Sequence, residues 1–301
     1  MRATIELEAV SKSFGRVHAV RDVSFAVREG ETLALVGHNG AGKTTLIKLM
    51  LGLLRPSAGS VRMLGEDPVT GSARGRGGLG YLPENVSFAP SLTGRETLTF
   101  YAGLKRAGRA EVDQLLARVG LGEAADRRVR TYSKGMRQRL GLAQALLGEP
   151  RVLLLDEPTS GLDPALRREF YAALDALREG GATILLSSHA LSELEGRADR
   201  FVIMGKGGKL ADGTLDELRC IARLPTRIRV RVAEGSKISL GDPDGWRAVN
   251  GRTWEIDVEP EDKVGRLRSA LAAEIADLDV TPPTLDELYA HFQRGWADDG
   301  P

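Results

Sequence analysis

The stretch Gly37-His38-Asn39-Gly40-Ala41-Gly42-Lys43-Thr44 constrains this chain more than any other part of it. It follows Thr32 to Val36, a largely apolar run of the kind a fully buried strand needs, and precedes Leu46, Ile47, Leu49, Met50 and Leu53 at helical spacing. Strand, glycine-rich turn and helix in that order make a phosphate cradle. The turn's N–H groups wrap a phosphate and the helix N-terminus adds partial positive charge. Lys43 is then placed to reach the β- and γ-phosphates of a nucleotide and the Thr44 hydroxyl to ligate Mg²⁺, with Asn39, Gly40, Gly42 and Thr45 completing the set. The bland alternative is a glycine turn beside a surface lysine, which leaves the flanking strand and helix unexplained.

A second buried-strand run, Val152 to Leu155, delivers Asp156 and Glu157 at its end, where open α/β sheets bind ligands. Alone, such a pair is a solvated strand terminus. Beside a phosphate loop, Asp156 is expected to hold Mg²⁺ and Glu157 to act as general base on a water. A third run, Thr183 to Leu186, follows a helical segment from about Pro164 to Arg178, so strands alternate with helices as in a parallel sheet. Near the N-terminus the pattern is different. Ile5 and Leu7, then Val23, Phe25 and Val27, alternate with polar neighbours and predict half-buried antiparallel strands. Thr93 with Glu96 reads as a capping box opening a helix, Val112, Leu115, Leu116 and Val119 continue at helical spacing up to Gly120, and roughly residues 93 to 148 are expected to be helical. Phe201 to Met204 and Lys209 to Ala211 read as a hairpin around Gly207-Gly208, and Thr214 with Glu217 starts another capped helix, with the main domain ending near Cys220.

Composition narrows the function classes. Basic residues number 42 and acidic residues 41, a net charge of +1, so no charged surface argues for nucleic acid or anionic lipid, and no nucleic-acid partner is expected. The lone Cys220, the absence of a signal-type start in MRATIELEAV and the lack of a long apolar stretch together predict a cytoplasmic chain that does not span a membrane. Four histidines, one cysteine and five methionines are scattered without ligand spacing, so copper binding is not expected.

Tyr132-Ser133-Lys134-Gly135-Met136-Arg137-Gln138-Arg139 resembles the signature of the ABC transporter ATPases, usually written LSGGQ followed by RQR. Ser160-Gly161-Leu162-Asp163 is similar to that family's D-loop, and His189 to its switch histidine. The resemblance implies a P-loop ABC ATPase domain: a mostly parallel core sheet, an N-terminal antiparallel β subdomain and a helical signature subdomain at about 90–148. It implies ATP and Mg²⁺ as cofactors, catalysis by Glu157 and His189, ATP binding by Asp163 among others, and a head-to-tail homodimer in which Ser133 and Gly135 meet the ATP held by the other subunit. Phe14 lies where the family stacks an aromatic on adenine; its other reading is a core residue of a strand. The family's Q-loop glutamine aligns with Glu84, a carboxylate able to approach Mg²⁺ through water. Lys134 and Met136 replace the signature's glycine and glutamine, as in exporter-type ATPases of the ABC-2 class.

The ATPase domain is expected over 1–220, a small α+β accessory domain over 226–296 and a frayed tail over 297–301. In the accessory domain, Ile228, Val230 and Val232, then Trp254, Ile256 and Val258, alternate as strands, and Thr284 with Glu287 caps a last helix. Gly80 to Phe88, Ala125 to Val129 and Gly141 to Pro150 further resemble NosF-type ATPases, of complexes that support copper-site maturation of nitrous oxide reductase. That likeness implies an integral membrane permease of NosY type, holding the chain at the inner face of the membrane, and a periplasmic NosD-like protein. An ABC-2 exporter of a lipid, glycan or drug shares all these motifs. So would an ABC protein acting on ribosomes or DNA, but the long coiled coil, zinc cysteines and basic aromatic patch common there are missing from this chain.

Overall fold

The protein is described from a computed structural model, which covers residues 3–71, 77–233, 245–271 and 275–298. The chain divides into two compact units, Met1–Gly213 and Thr214–Pro301. In the first, β1 (Ala3–Phe14) pairs antiparallel with β2 (Val17–Arg28) on one side and β4 (Ala58–Met63) on the other. The period-two alternation of Ile5, Leu7, Val23, Phe25 and Val27 turns these side chains to one buried face.

The second sheet has the order β5 (Leu79–Leu82), β6 (Val152–Asp156), β7 (Thr183–Ser188), β3 (Thr32–Val36), β8 (Arg200–Gly205), β9 (Gly208–Gly213). Its first five strands run parallel, and β9 returns antiparallel from a tight turn at Lys206 and Gly207. Every residue of β3, β6 and β7 is buried, which is why these strands read as continuous apolar runs. Helix α1 (Lys43–Met50) ties the sheets together: Leu46, Ile47 and Met50 share one core cluster with Ile5 and Val27 of the antiparallel sheet and Leu33 of the parallel one. Each such side chain contributes about 1.5–3 kcal/mol by leaving water.

The helical region is α2 (Gly94–Lys105), α3 (Arg109–Arg118) and α4 (Lys134–Leu146). Both halves of the Thr93–Glu96 capping box form, at 2.8 and 3.1 Å. The three helices are separate. Gly120, at φ 69°, stops α3, and the chain reaches α4 through turns and one 3₁₀ turn at Val129–Thr131. Arg95 holds that connection through Asp126 at 2.8 Å. Helix α5 (Pro164–Glu179) follows and buries Phe170, Tyr171 and Leu174.

The second unit begins with a helix that the sequence reading placed in the ATPase domain. α6 (Leu215–Ala222), capped by Thr214 and Glu217, packs on α8 (Leu285–Asp298), and Arg219 Nε donates to the Pro283 carbonyl at 2.9 Å. The boundary therefore falls at Thr214 rather than after Cys220. The sheet order is β11 (Arg247–Asn250), β12 (Thr253–Val258), β10 (Thr226–Val232), β13 (Ile275–Thr281), antiparallel throughout, with α7 (Lys263–Leu271) between β12 and β13 in the chain. β11 and β13 were not read from the sequence: β11 is exposed along its whole length, and β13 alternates only weakly. The last helix continues through Asp298, so the expected frayed tail does not start at 297; residues 299–301 lie outside the described residues.

Ile228, Val230, Ile256, Val258 and Ala270 form the core of this unit, whereas the other sheet face pairs Arg229 with Glu255 at 2.7 Å and Arg231 with Asp277 at 3.2 Å. The two faces predict unequal costs. Ile228→Ala is expected to lose about 2–5 kcal/mol, seen as lost hydrogen-exchange protection along β10, β12 and β13. Arg229→Ala is expected to cost less than about 1 kcal/mol.

Candidate nucleotide site

The sheet order puts β6, β7 and β3 side by side with their C-terminal ends at one edge, Asp156 opposite Ser187 and Val36 opposite Ser188. Three connections leave that edge together: the Gly37–Gly42 loop after β3, the Glu157–Asp163 segment after β6 and His189 after β7. Gly42 has φ 100°, and a Cβ there would stand 2.5 Å from the Ala19 carbonyl oxygen, so both backbone conformation and space require glycine. Gly42 also serves as the N-cap of α1 and supplies no side-chain oxygen, leaving the first N–H groups of that helix to an anion in the loop. Asn39 and Gly40 are exposed at the mouth, and Thr44 and Thr45 are half-buried in the first turn of α1.

The two adjacent acids sit in different surroundings. Asp156 Oδ1 accepts from Ser187 Oγ at 2.7 Å and from Thr44 Oγ1 at 3.2 Å. These hydroxyl and carboxylate oxygens are the hard donors that suit Mg²⁺, and Thr44 and Asp156 are the residues that would hold it. Glu157 instead faces cationic and N–H groups. Its Oε2 accepts from His189 Nδ1 at 2.7 Å and from the His189 backbone N–H at 3.3 Å. Its Oε1 accepts no directed hydrogen bond and lies 3.2 Å from the Lys43 ammonium, which also donates to the Gly37 carbonyl. Lys43 is only 5% exposed and Glu157 6%, so the pair is screened little by water. His189 is half exposed, open to a ligand on its far side.

The other expected residues are placed apart from this cluster. Ser133 is exposed and caps α4 by accepting from Met136 N at 3.2 Å. Gly135 is buried where a Cβ would come within 2.5 Å of Leu166 Cδ1. Asp163 caps α5, accepting from Ala165 N at 3.0 Å and Leu166 N at 2.9 Å. None of the three bonds to the phosphate loop within this chain. Glu84 stands exposed beyond the end of β5. Phe14, 48% exposed at the end of β1 with Lys12 Nζ 5.1 Å from its ring centre, is not a core residue.

Three contributors were not singled out from the sequence. Ser187 joins both acids, donating to Asp156 and accepting the Glu157 N–H at 3.0 Å; its only signal was its place at the end of an apolar strand. Gln138 donates from Nε2 to the Pro158 carbonyl at 2.9 Å, linking the signature helix to the segment after Glu157. Tyr81, half-buried on β5, has its phenol pushed up to about 12 by burial and by the Asp156 charge.

Burial likewise pushes the Tyr171 phenol up to about 12. Both groups stay protonated in the folded chain over a range where an unfolded phenol, near 10, ionises. Their contribution to stability is thus complete below pH 10 and lost as pH climbs from 10 to 12. In urea titrations, the Tyr81→Phe, Tyr171→Phe double variant is expected to show a flatter fall in stability across that window than the wild type.

Comparison with known proteins places this geometry. A family model described as ABC transporter matches residues 20–160. The ABC transporter ATP-binding protein YdbJ of Bacillus subtilis is 35% identical over 93% of this chain and 91% of its own length. The daunorubicin resistance ATP-binding protein DrrA3 of Streptomyces coeruleorubidus is 35% identical over 96% of this chain and 95% of its own length. A solved ATP-binding subunit of an ABC transporter superposes with TM-score 0.67 at 34% identity, covering 72% of this chain and 92% of that one. With the glycine-rich loop, the paired acids and His189 meeting at one sheet edge, the chain belongs to the ATP-binding subunits of ABC transporters, ATPases that work with a separate membrane permease.

Proposed function

We propose that this chain is the ATPase of an ABC-2-type exporter, hydrolysing ATP at Glu157 to drive a separate permease that moves an amphipathic cargo out of the cell. The observation that carries the cargo class is the 35% identity to a daunorubicin resistance ATP-binding protein over 96% of the chain, which takes in the second unit as well as the ATPase unit.

The site supports the hydrolytic roles. The phosphate loop and α1 hold the ATP phosphates, Lys43 neutralises them and Phe14 offers an exposed ring to the adenine. Mg²⁺, when bound through Thr44 and Asp156, spreads the charge of the phosphates. Glu157 receives the proton of the water that attacks the γ-phosphorus, and ADP departs; His189 and Lys43 keep the carboxylate aimed meanwhile. Ser133, Gly135 and Asp163 are assigned to the ATP of a second copy in a head-to-tail homodimer, in keeping with their lack of contact with their own chain's loop. Glu84 is assigned a water-mediated approach to the ion.

Docking of the permease is assigned to the segment from Glu84 to Arg95 with α2. Phe88 meets Tyr101 edge-on at 6.1 Å, Phe100 meets Tyr101 at 5.4 Å, and Phe100 and Leu104 stand 60% and 68% exposed. An aromatic patch of this kind suits a partner's helix. Among the described residues no helix is long and apolar enough to cross a membrane, so the permease would hold the chain at the cytoplasmic face. The NosF likeness of Gly80 to Phe88 supports a second reading with the same chemistry, in which a NosY-like permease and a periplasmic NosD-like protein replace the exporter.

Glu157→Gln keeps the side chain's shape and removes its proton affinity. It is expected to lower kcat about a hundred- to ten-thousand-fold with ATP binding intact; unimpaired turnover would remove Glu157 from the role of base. The same variant, trapped with ATP in its host and extracted in mild detergent, is expected to bring down a lone polytopic permease. A permease accompanied by a periplasmic repeat protein would select the copper-maturation reading, and a ribosomal or DNA-bound partner would overturn transport.

A further inference from the structure

Glu157 sits at φ 47°, in the left-handed region that a residue with a side chain seldom enters. Such a conformation persists only where its surroundings hold it on both sides. Upstream the hold is Ser187, bonded to Asp156 and to the Glu157 N–H. Downstream the chain makes two overlapping turns, Ser160 N donating to Glu157 O at 3.1 Å and Leu162 N to Thr159 O at 3.1 Å. Any shift of the second turn therefore reaches the carbonyl of Glu157.

That second turn is gripped at both ends by one carboxylate. Glu193 lies in the 3₁₀ turn Leu191–Glu193, just after the switch histidine. Its Oε2 accepts from Thr159 Oγ1 at 3.5 Å and from Tyr171 OH at 3.4 Å. Its Oε1 pairs with the Arg167 guanidinium, whose Nε donates to the Leu162 carbonyl at 2.9 Å. Thr159 and Tyr171 are both buried, and Arg197 stacks over the Tyr171 ring at 4.4 Å, so the grip is backed by packing. The continuation of β7 thus clasps the segment after β6 three times, at Ser187, at His189 and at Glu193.

We propose that Glu193, acting with Arg167, is a positioning residue for hydrolysis: it holds the Thr159–Leu162 turn so that Glu157 keeps its left-handed backbone and its carboxylate stays on His189. The proposal rests on the assignment of Glu157 as base. Neither Glu193 nor Arg167 touches the phosphate loop, so their loss bears on turnover and not on ATP binding.

The test is steady-state ATPase of the full chain, with the permease that co-purifies, for Glu193→Gln, Arg167→Gln and the double variant, beside Glu157→Gln. Each single variant is expected to lower kcat about ten-fold with KM for ATP within about two-fold of wild type. Because both act through one ion pair, the double variant is expected to match the singles rather than reach about a hundred-fold. Wild-type kcat in Glu193→Gln, a matching rise in KM, or multiplicative losses in the double variant would each overturn the positioning role. If Glu157→Gln is inactive while Glu193→Gln is unimpaired, only the positioning role falls. If Glu157→Gln turns over normally, the base assignment and this proposal fall together.

Discussion

An ammonium and a carboxylate that are almost out of water face each other at 3.2 Å, and the site is organised around that pair. Removing two charges from water is costly, and the attraction between Lys43 and Glu157 offsets it only if other groups complete their shells. Here the Gly37 carbonyl does so for the lysine and His189 for the glutamate. Lys43 begins α1, Glu157 follows β6 and His189 follows β7, so the pair forms only when β3, β7 and β6 stand in that order. The parallel sheet is the frame that brings these three chain ends together, and the core shared by α1 and both sheets keeps the frame rigid.

Adjacent residues can do different chemistry because a strand end turns them to different surroundings. Asp156 meets hydroxyls, which leave its charge available to a hard cation. Glu157 meets an ammonium and an imidazole, which hold its charge in place and aim it. The left-handed backbone at Glu157 separates the two environments, and local strain of this kind collects at sites whose geometry serves a reaction. The segment beyond it is tied to the signature helix by Gln138 and to the switch segment by Glu193, so three motifs distant in the chain share one short loop.

The second unit follows another logic. Its sheet is antiparallel, with one apolar face and one covered by arginine–carboxylate pairs, the arrangement expected when only one side of a sheet is covered. Its beginning at Thr214 rather than beyond Cys220 was not legible from the chain, because a capped helix looks the same whichever neighbour it packs on. The edge strands β11 and β13 escaped for a related reason: an exposed strand has little hydrophobic alternation to display.

What the sequence determined by itself was local: the strand, glycine turn and helix around Lys43, the buried run ending in Asp156 and Glu157, the capping boxes at Thr93, Thr214 and Thr284, and the signature before α4. Each is set by residues a few positions apart, through backbone conformation and hydrophobic period. Gly120 was legible as a stop and ends α3, whereas the turns and the 3₁₀ turn between it and α4 lie inside the stretch of roughly 93 to 148 expected to be helical. Only the tertiary structure decided which acid meets which partner. Ser187, Gln138, Tyr81 and Glu193 act across 20 or more residues of chain, and a separation of 31 in the chain leaves no periodic trace of the Ser187–Asp156 hydrogen bond. Strand order decides such contacts, and strand order is settled by how whole faces pack.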